Sequence, residues 1–152
     1  MAVRVQTADF DIGQEIAALT AGRTDIGALV TFTGLVRGEA RGKQLAAMAL
    51  EHYPGMTEAE LARVEAEANA RWLLQATLIL HRTGTLFPGD SIVLVVTASL
   101  HRQAAFEAAE FLMDYLKTRA PFWKKETASD GSGGWVDARD SDDAALQRWS
   151  KS

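Results

Sequence analysis

Cysteine is absent from this chain of 152 residues, and only three prolines interrupt it. Without cysteine the chain forms no disulfide, uses no thiolate nucleophile and builds no zinc site on sulfur. We expect a cytoplasmic location, with which this absence agrees. The sequence also lacks a Walker-type phosphate loop, a dinucleotide-binding glycine pattern and an HExxH motif. We therefore predict neither a metal nor a cofactor.

Positive charge is in the minority, with 16 lysines and arginines against 20 acidic residues and a net charge of -4. This balance argues against a general binder of nucleic acid or membrane surfaces, so any anion must be bound by a local cluster. The longest apolar run, near residues 92–98, is too short to span a bilayer. The first residues lack the apolar core of a signal peptide.

The composition, 47% hydrophobic and 24% charged, is typical of a globular protein, and we expect residues 1–152 to form one domain. Predicted strands and helices interleave, but some strands follow each other without a helix between them. This order favours an α+β fold with a mixed or antiparallel sheet over a doubly wound parallel sheet. Ser99 and Thr57 are expected to cap helices, and residues 37–43 to form a polar loop. The predicted strands cover residues 3–7, 26–36, 45–53, 77–81, 91–97, 122–127 and 135–137, and the helices cover 12–19, 58–73, 100–119 and 140–149.

The stretch from residue 113 to residue 126 has the most unusual chemistry. It ends an amphipathic helix, breaks at Pro121 and resumes as a strand-like run, and four of its residues are cationic. Lys117 lies near the last helical turn and Lys124 follows the break. A helix end that folds back against a strand brings such amines to one place, where they suit proton transfer. The simpler interpretation of Lys117 is a solvated partner of the helix dipole.

Other basic residues also lie at the ends of predicted elements. Arg37 follows a strand, and His101 and Arg102 begin a helix, whose free N–H groups and positive end favour anions. His81 and Arg82 form a second candidate pair at a strand end, although such pairs are more often structural. Arg37 is equally well explained as a loop charge, and His101 as the partner of a loop carbonyl. Residue chemistry alone thus predicts an α+β domain with a local basic pocket.

Five strings of the sequence carry a family resemblance. They are GALVTFTGLVR at 27–37, LEHYPGM at 50–56, ILHRTG at 79–84, SLHR at 99–102 and MDYLKTRAPFWKKE at 113–126. Together they resemble the catalytic (large) subunit of molybdopterin synthase, and they follow that family's order over most of the chain. The resemblance implies an α/β hammerhead fold within the α+β class. It also implies an enzyme that inserts two sulfur atoms into cyclic pyranopterin monophosphate to make molybdopterin.

The resemblance further implies a partner, a ubiquitin-like sulfur-carrier small subunit with a thiocarboxylated Gly-Gly tail. This chain has no cysteine and therefore carries no persulfide itself, which agrees with a partner that supplies the sulfur. Two copies of the large subunit would form the homodimer core of a heterotetramer. Carried over by position, Lys117 and Lys124 are the expected catalytic residues. The expected substrate contacts are Leu35, Val36, Arg37, His101, Arg102, Lys117, Lys124, Lys125 and Glu126, and the pocket-lining positions are Phe32, Met113 and Arg139.

The predicted helix limits how Arg102 and Lys117 can act together. If Arg102 and Lys117 share one helix, their separation of fifteen positions corresponds to roughly 22 Å, too far for one compact ligand. Either they serve different sites or a second copy contributes Arg102.

The main alternative function is a non-catalytic docking module that binds the C-terminal tail of a ubiquitin-like protein. A general phosphate-ester enzyme is disfavoured, because the sequence has no metal-binding cluster.

Overall fold

The computed structural model of the protein describes residues 2–136 and 140–151. Within these residues, nine strands form two sheets, three of the four α-helices pack on the sheets and the fourth packs on the third, which confirms the α+β class. No helix in the described part is both long and apolar enough to cross a membrane. The strands are β1 Ala2–Gln6, β2 Ala28–Leu35, β3 Glu39–Ala40, β4 Lys43–His52, β5 Ala76–Arg82, β6 Gly84–Leu86, β7 Ser91–Ser99, β8 Phe122–Ala128 and β9 Gly133–Val136, and the helices are α1 Ile12–Thr20, α2 Met56–Arg71, α3 Arg102–Thr118 and α4 Asp140–Gln147.

The first sheet has the strand order β1-β5-β7-β2, with β1 parallel to β5 and the other pairs antiparallel. Its central strands are buried on both faces, which explains their almost continuous apolar sequence. One face packs on α2 and α3 through residues such as Ile79, Val95 and Phe111. The opposite face, which includes Leu80, packs on α1 through Ile12.

The second sheet is built around β4, which pairs with β3, β6 and β8, while β9 pairs with β8. A separate core, which includes Val36, Met48 and Leu86, lies beneath it. Side chains alternate between the two faces of a strand, so Lys124 and Glu126 share one face of β8 and Lys125 lies on the other. The β8 strand thus presents two chemically different surfaces.

Two local predictions differ from the structure. The predicted loop at 37–43 contains β3 and turns back through Arg41 and Gly42, with φ angles of 54° and 75°. Ser99 belongs to β7, where its hydroxyl donates to the Leu73 carbonyl at 2.9 Å, so it does not cap α3. The residue that precedes α3 is His101, and its side chain makes no capping hydrogen bond.

The start of α2 also differs from the expected capping box. The helix begins at Met56, and the Glu58 carboxylate accepts a hydrogen bond from the Gly55 N–H at 3.3 Å. Thr57, which was expected to cap the helix, is completely buried inside its first turn. Its hydroxyl is therefore available for a tertiary contact, described below.

Candidate functional site

The two sheets and the end of α3 surround an open cavity of about 460 Å³. Lys117 reaches it from the last turn of α3, and Lys124 reaches it from β8, so the helix end and the strand after Pro121 face the same space. Arg37 and Glu126 also line this cavity. The remaining lining residues are Leu35, Glu39, Leu45, Met48, Ile92, Leu116, Thr118, Ala120, Phe122 and Val136.

A larger cavity of about 910 Å³ adjoins the first along the β3–β4 hairpin. The two share Arg37, Glu39, Lys124, Glu126 and Val136, and the larger one extends to Arg41 and Gln44. Four cationic side chains and two carboxylates thus line the combined space, although the whole chain carries a net charge of -4. This concentration of positive charge makes the cavities the local anion-attracting region that the sequence predicts.

The chain turns sharply between the two lysines. The N–H of Arg119 donates to the Tyr115 carbonyl at 2.8 Å and ends the helix. The N–H of Phe122 then donates to the Ala120 carbonyl at 2.8 Å, which closes a three-residue turn centred on Pro121. Proline suits this centre, because its ring holds φ near the value that such a turn requires. The turn places β8 against the helix end.

His81 lies buried beside this turn. Its ring stacks on Phe122, with centroids 3.8 Å apart and planes 17° from parallel, and Nδ1–H donates to the Arg82 carbonyl at 2.8 Å. Burial lowers the pKa of His81 from 6.5 to about 4. The hydrogen bond to the Arg82 carbonyl raises this pKa, and the charges of Lys117 and His52 lower it. His81 is thus neutral at physiological pH.

The His81–Arg82 pair is structural rather than an anion site. Arg82 donates to the backbone carbonyls of Thr7 and Ser91 at 3.0–3.1 Å and lies 3.7 Å from an Asp9 carboxylate oxygen. These contacts hold the chain after β1 and the start of β7 together. Neither His81 nor Arg82 lines the cavities.

The lowered pKa of His81 predicts an acid-sensitive fold. The unfolded chain binds a proton near pH 6.5 and the folded chain near pH 4, so stability falls as the pH decreases through this interval. We expect the free energy of unfolding to fall by about 2–3 kcal/mol between pH 7.5 and pH 4.5 because of His81. Urea unfolding of the wild type and His81→Phe at both pH values checks it. An equal loss in the two proteins would contradict the prediction.

Several residues expected at the site lie elsewhere. His101 and Arg102 are exposed at the opposite end of α3 from Lys117. Lys125 is exposed on the outer face of β8, while Val36 is buried in the second core. Neither is among the residues that line the cavities.

Phe32 and Met113, two of the three expected pocket-lining residues, do not line the cavities. Phe32 is 39% exposed on β2, and Met113 packs against the main core. Arg139 lies outside the described residues. The structure therefore brings together Leu35, Arg37, Lys117, Lys124 and Glu126 within one chain.

The sequence interpretation missed Arg41 and Glu39, which line the larger cavity from the hairpin. The sequence Arg-Gly-Glu-Ala-Arg-Gly from residue 37 signals a tight return of the chain, because glycine allows the backbone conformation that such a turn needs. In the part of the chain that the structure describes, no group of three or more histidine or acidic side chains has metal-site geometry.

The fold and the cavities define a class, an α+β protein with a cationic cavity between a helix end and two sheets. Residues 5–119 match the family described as MoaE protein, and the chain belongs to this family. It is 61% identical over 151 residues to the molybdopterin synthase catalytic subunit of Mesorhizobium japonicum, a match that covers 99% of this chain and 94% of the relative.

Solved structures agree with this assignment. The molybdopterin biosynthesis MoaE protein from Burkholderia ambifaria is 56% identical, with a TM-score of 0.84 and 99% of each chain covered. The molybdopterin synthase from Staphylococcus aureus is 32% identical, with a TM-score of 0.80, and the match covers 88% of this chain and 95% of that one.

Proposed function

We propose that this protein is the catalytic subunit of molybdopterin synthase, a sulfurtransferase that converts cyclic pyranopterin monophosphate to molybdopterin. The observation that carries the proposal is the shared cavity of Lys117, Lys124 and Arg37. The names of the relatives support the same activity, since Mesorhizobium japonicum has a molybdopterin synthase catalytic subunit with 61% identity. The sulfur would come from the thiocarboxylated Gly-Gly tail of a ubiquitin-like small subunit.

The proposed reaction uses the two lysines at the tail of the partner. For each of the two sulfur atoms, the thiocarboxylate sulfur of one partner attacks a side-chain carbon of the substrate, the C–O bond at that carbon breaks, and its oxygen leaves with a proton. The new C–S bond links the partner to the substrate as a thioester. Water then attacks the thioester carbonyl, the bond from that carbonyl to sulfur breaks, and the partner leaves as a carboxylate. Lys117 stabilises the negative charge that develops on the carbonyl oxygen or transfers a proton, and Lys124 assists in the same cavity.

Arg37 holds the phosphate and the polar edge of the pterin, together with His101 and Arg102. Because α3 carries both Arg102 and Lys117, about 22 Å of helix separates them, so one compact ligand does not reach both within a chain. We propose that His101 and Arg102 come from a second copy, in a homodimer that forms the core of a heterotetramer. Arginine suits this task because its planar guanidinium pairs with phosphate oxygens in a bidentate manner.

Reconstitution tests the proposal. The purified chain, the thiocarboxylated small subunit and the pterin substrate are mixed, and dithiolene formation is followed. We expect molybdopterin to form, and the same small subunit with an ordinary carboxylate terminus is the control that gives none.

The alternative, a docking module, predicts a different result in the same experiment. A module binds the tail through its cationic cavity without making product, and its affinity for the tail is the same with and without the pterin. Tail binding that is indifferent to the pterin, with no dithiolene formed, would therefore favour the module over the enzyme.

A further inference from the structure

The connection between Lys117 and Lys124 is held by two buried side chains that do not line the cavity. Thr57 is fully buried on α2, and His81 is 9% exposed on β5. Both contact the turn at Pro121 and Phe122, which is the corner where the chain changes from helix to strand. Neither residue has a role in the proposed reaction.

Thr57 holds the corner through its hydroxyl. Oγ1–H donates to the Pro121 carbonyl at 3.0 Å, and the same oxygen accepts from the Tyr53 N–H at 3.0 Å. Proline has no N–H, so its carbonyl is the only backbone group through which it can be hydrogen-bonded. The hydroxyl therefore ties the centre of the turn to the start of α2 and to the end of β4.

His81 holds the next residue through its ring. The hydrogen bond from Nδ1–H to Arg82 fixes the orientation of the imidazole and leaves Nε2 without a proton. The ring then supports Phe122 by stacking at 3.8 Å. Phe122 itself lines the cavity and precedes Lys124 by two positions on the same face of β8. Since the imidazole is neutral, it supports this wall without placing a second charge beside Lys117.

We infer that Thr57 and His81 are positioning residues that fix the separation of the Lys117 and Lys124 side chains by clamping the Pro121–Phe122 corner. The inference rests on the proposed function, because it assigns the clamp to the two proposed catalytic amines. Reacting groups must be held within a fraction of an ångström of their working geometry. Residues that pack behind them on rigid helices and strands hold them in that position. Here α2 and β5 are those elements.

The absence of cysteine permits a direct test of the geometry. Lys117→Cys and Lys124→Cys together create the only two thiols in the chain, and spin labels on them report their separation by electron paramagnetic resonance. We expect one narrow distance distribution with Thr57 in place and a shifted or broadened one with Thr57→Val, which keeps the size but loses the hydroxyl. Thr57→Ser retains the hydroxyl and should restore the narrow distribution.

The matched control is Thr20→Val on α1, which packs on the opposite face of the first sheet from α2 and α3. It removes a hydroxyl that donates to the backbone carbonyl of Ile16 at 2.9 Å. It should leave the label distances unchanged. His81→Leu, which removes the stacked ring, gives a second measurement that does not depend on the folding of Thr57→Val. We expect it to broaden the distribution as well.

Activity provides the second readout, in chains that retain both lysines. A misplacement of about 1 Å is enough to lower kcat on the order of 100-fold, and we expect Thr57→Val to lower kcat with KM unchanged and Thr57→Ser to recover it. Unchanged label distances, or changed distances with wild-type kcat, overturn the inference. If the wild type makes no molybdopterin, the proposed function fails, whereas the label distances still report whether the clamp exists.

Discussion

Lys117→Ala is expected to abolish molybdopterin formation while the small subunit still binds. The amine lines the cavity at the end of α3, where the proposed reaction develops negative charge on the carbonyl oxygen of the partner. Loss of one such stabilising group typically lowers kcat by about 100- to 1,000-fold. The side chain is exposed and makes no salt bridge with any residue of the described part, so we expect the free energy of unfolding to change by less than about 0.5 kcal/mol.

Single-turnover reaction of the thiocarboxylated complex measures this effect without interference from product release. Affinity for the small subunit, measured by calorimetry, should stay within about twofold because a single exposed cation contributes little to a large interface. Arg63→Ala is the control, since it removes an exposed cation on α2 that pairs with Glu60 and does not line the cavities. Near-normal turnover of Lys117→Ala would show that the amine is not the stabilising group.

The elements that carry the site were predictable from local patterns. The amphipathic helix that ends near residue 119 and the break at Pro121 already indicated that Lys117 and Lys124 return to one place. The period of two along β8 also contained the information that Lys125 points away from Lys124. The family resemblance grouped Lys124, Lys125 and Glu126 as one segment, and the alternation of side chains separates them.

The contacts that complete the site were not predictable, because they join residues far apart in sequence. Thr57 and Pro121 are 64 positions apart, and the threonine occurs where a helix cap was the natural interpretation. A hydroxyl near a helix start gives no sign of whether it caps its own helix or bonds another segment. Similarly, nothing in the segment around Arg41 reveals that its hairpin folds over β8, since this depends on the register between β3, β4 and β8.

The origin of Arg102 allows the second large prediction. If each site takes Lys117 from one copy and Arg102 from the other, a dimer of one Lys117→Ala chain and one Arg102→Ala chain has one intact site and one site with both defects. We expect each variant alone to be inactive. Co-expression with random pairing makes half of the dimers mixed, so we expect about one quarter of the wild-type activity to return in a twofold-symmetric dimer.

The contrasting arrangement gives a contrasting number. If Arg102 and Lys117 serve the same site within one chain, every site of a mixed dimer lacks one of them and no activity returns. Lys117→Ala mixed with Lys124→Ala provides the control, because both lysines line the cavity of a single chain and their defects cannot be complemented. Recovery in the first mixture and none in the second would assign Arg102 to the second copy. Along one helix the two residues are roughly 22 Å apart, so one compact substrate can contact both only if they come from different copies.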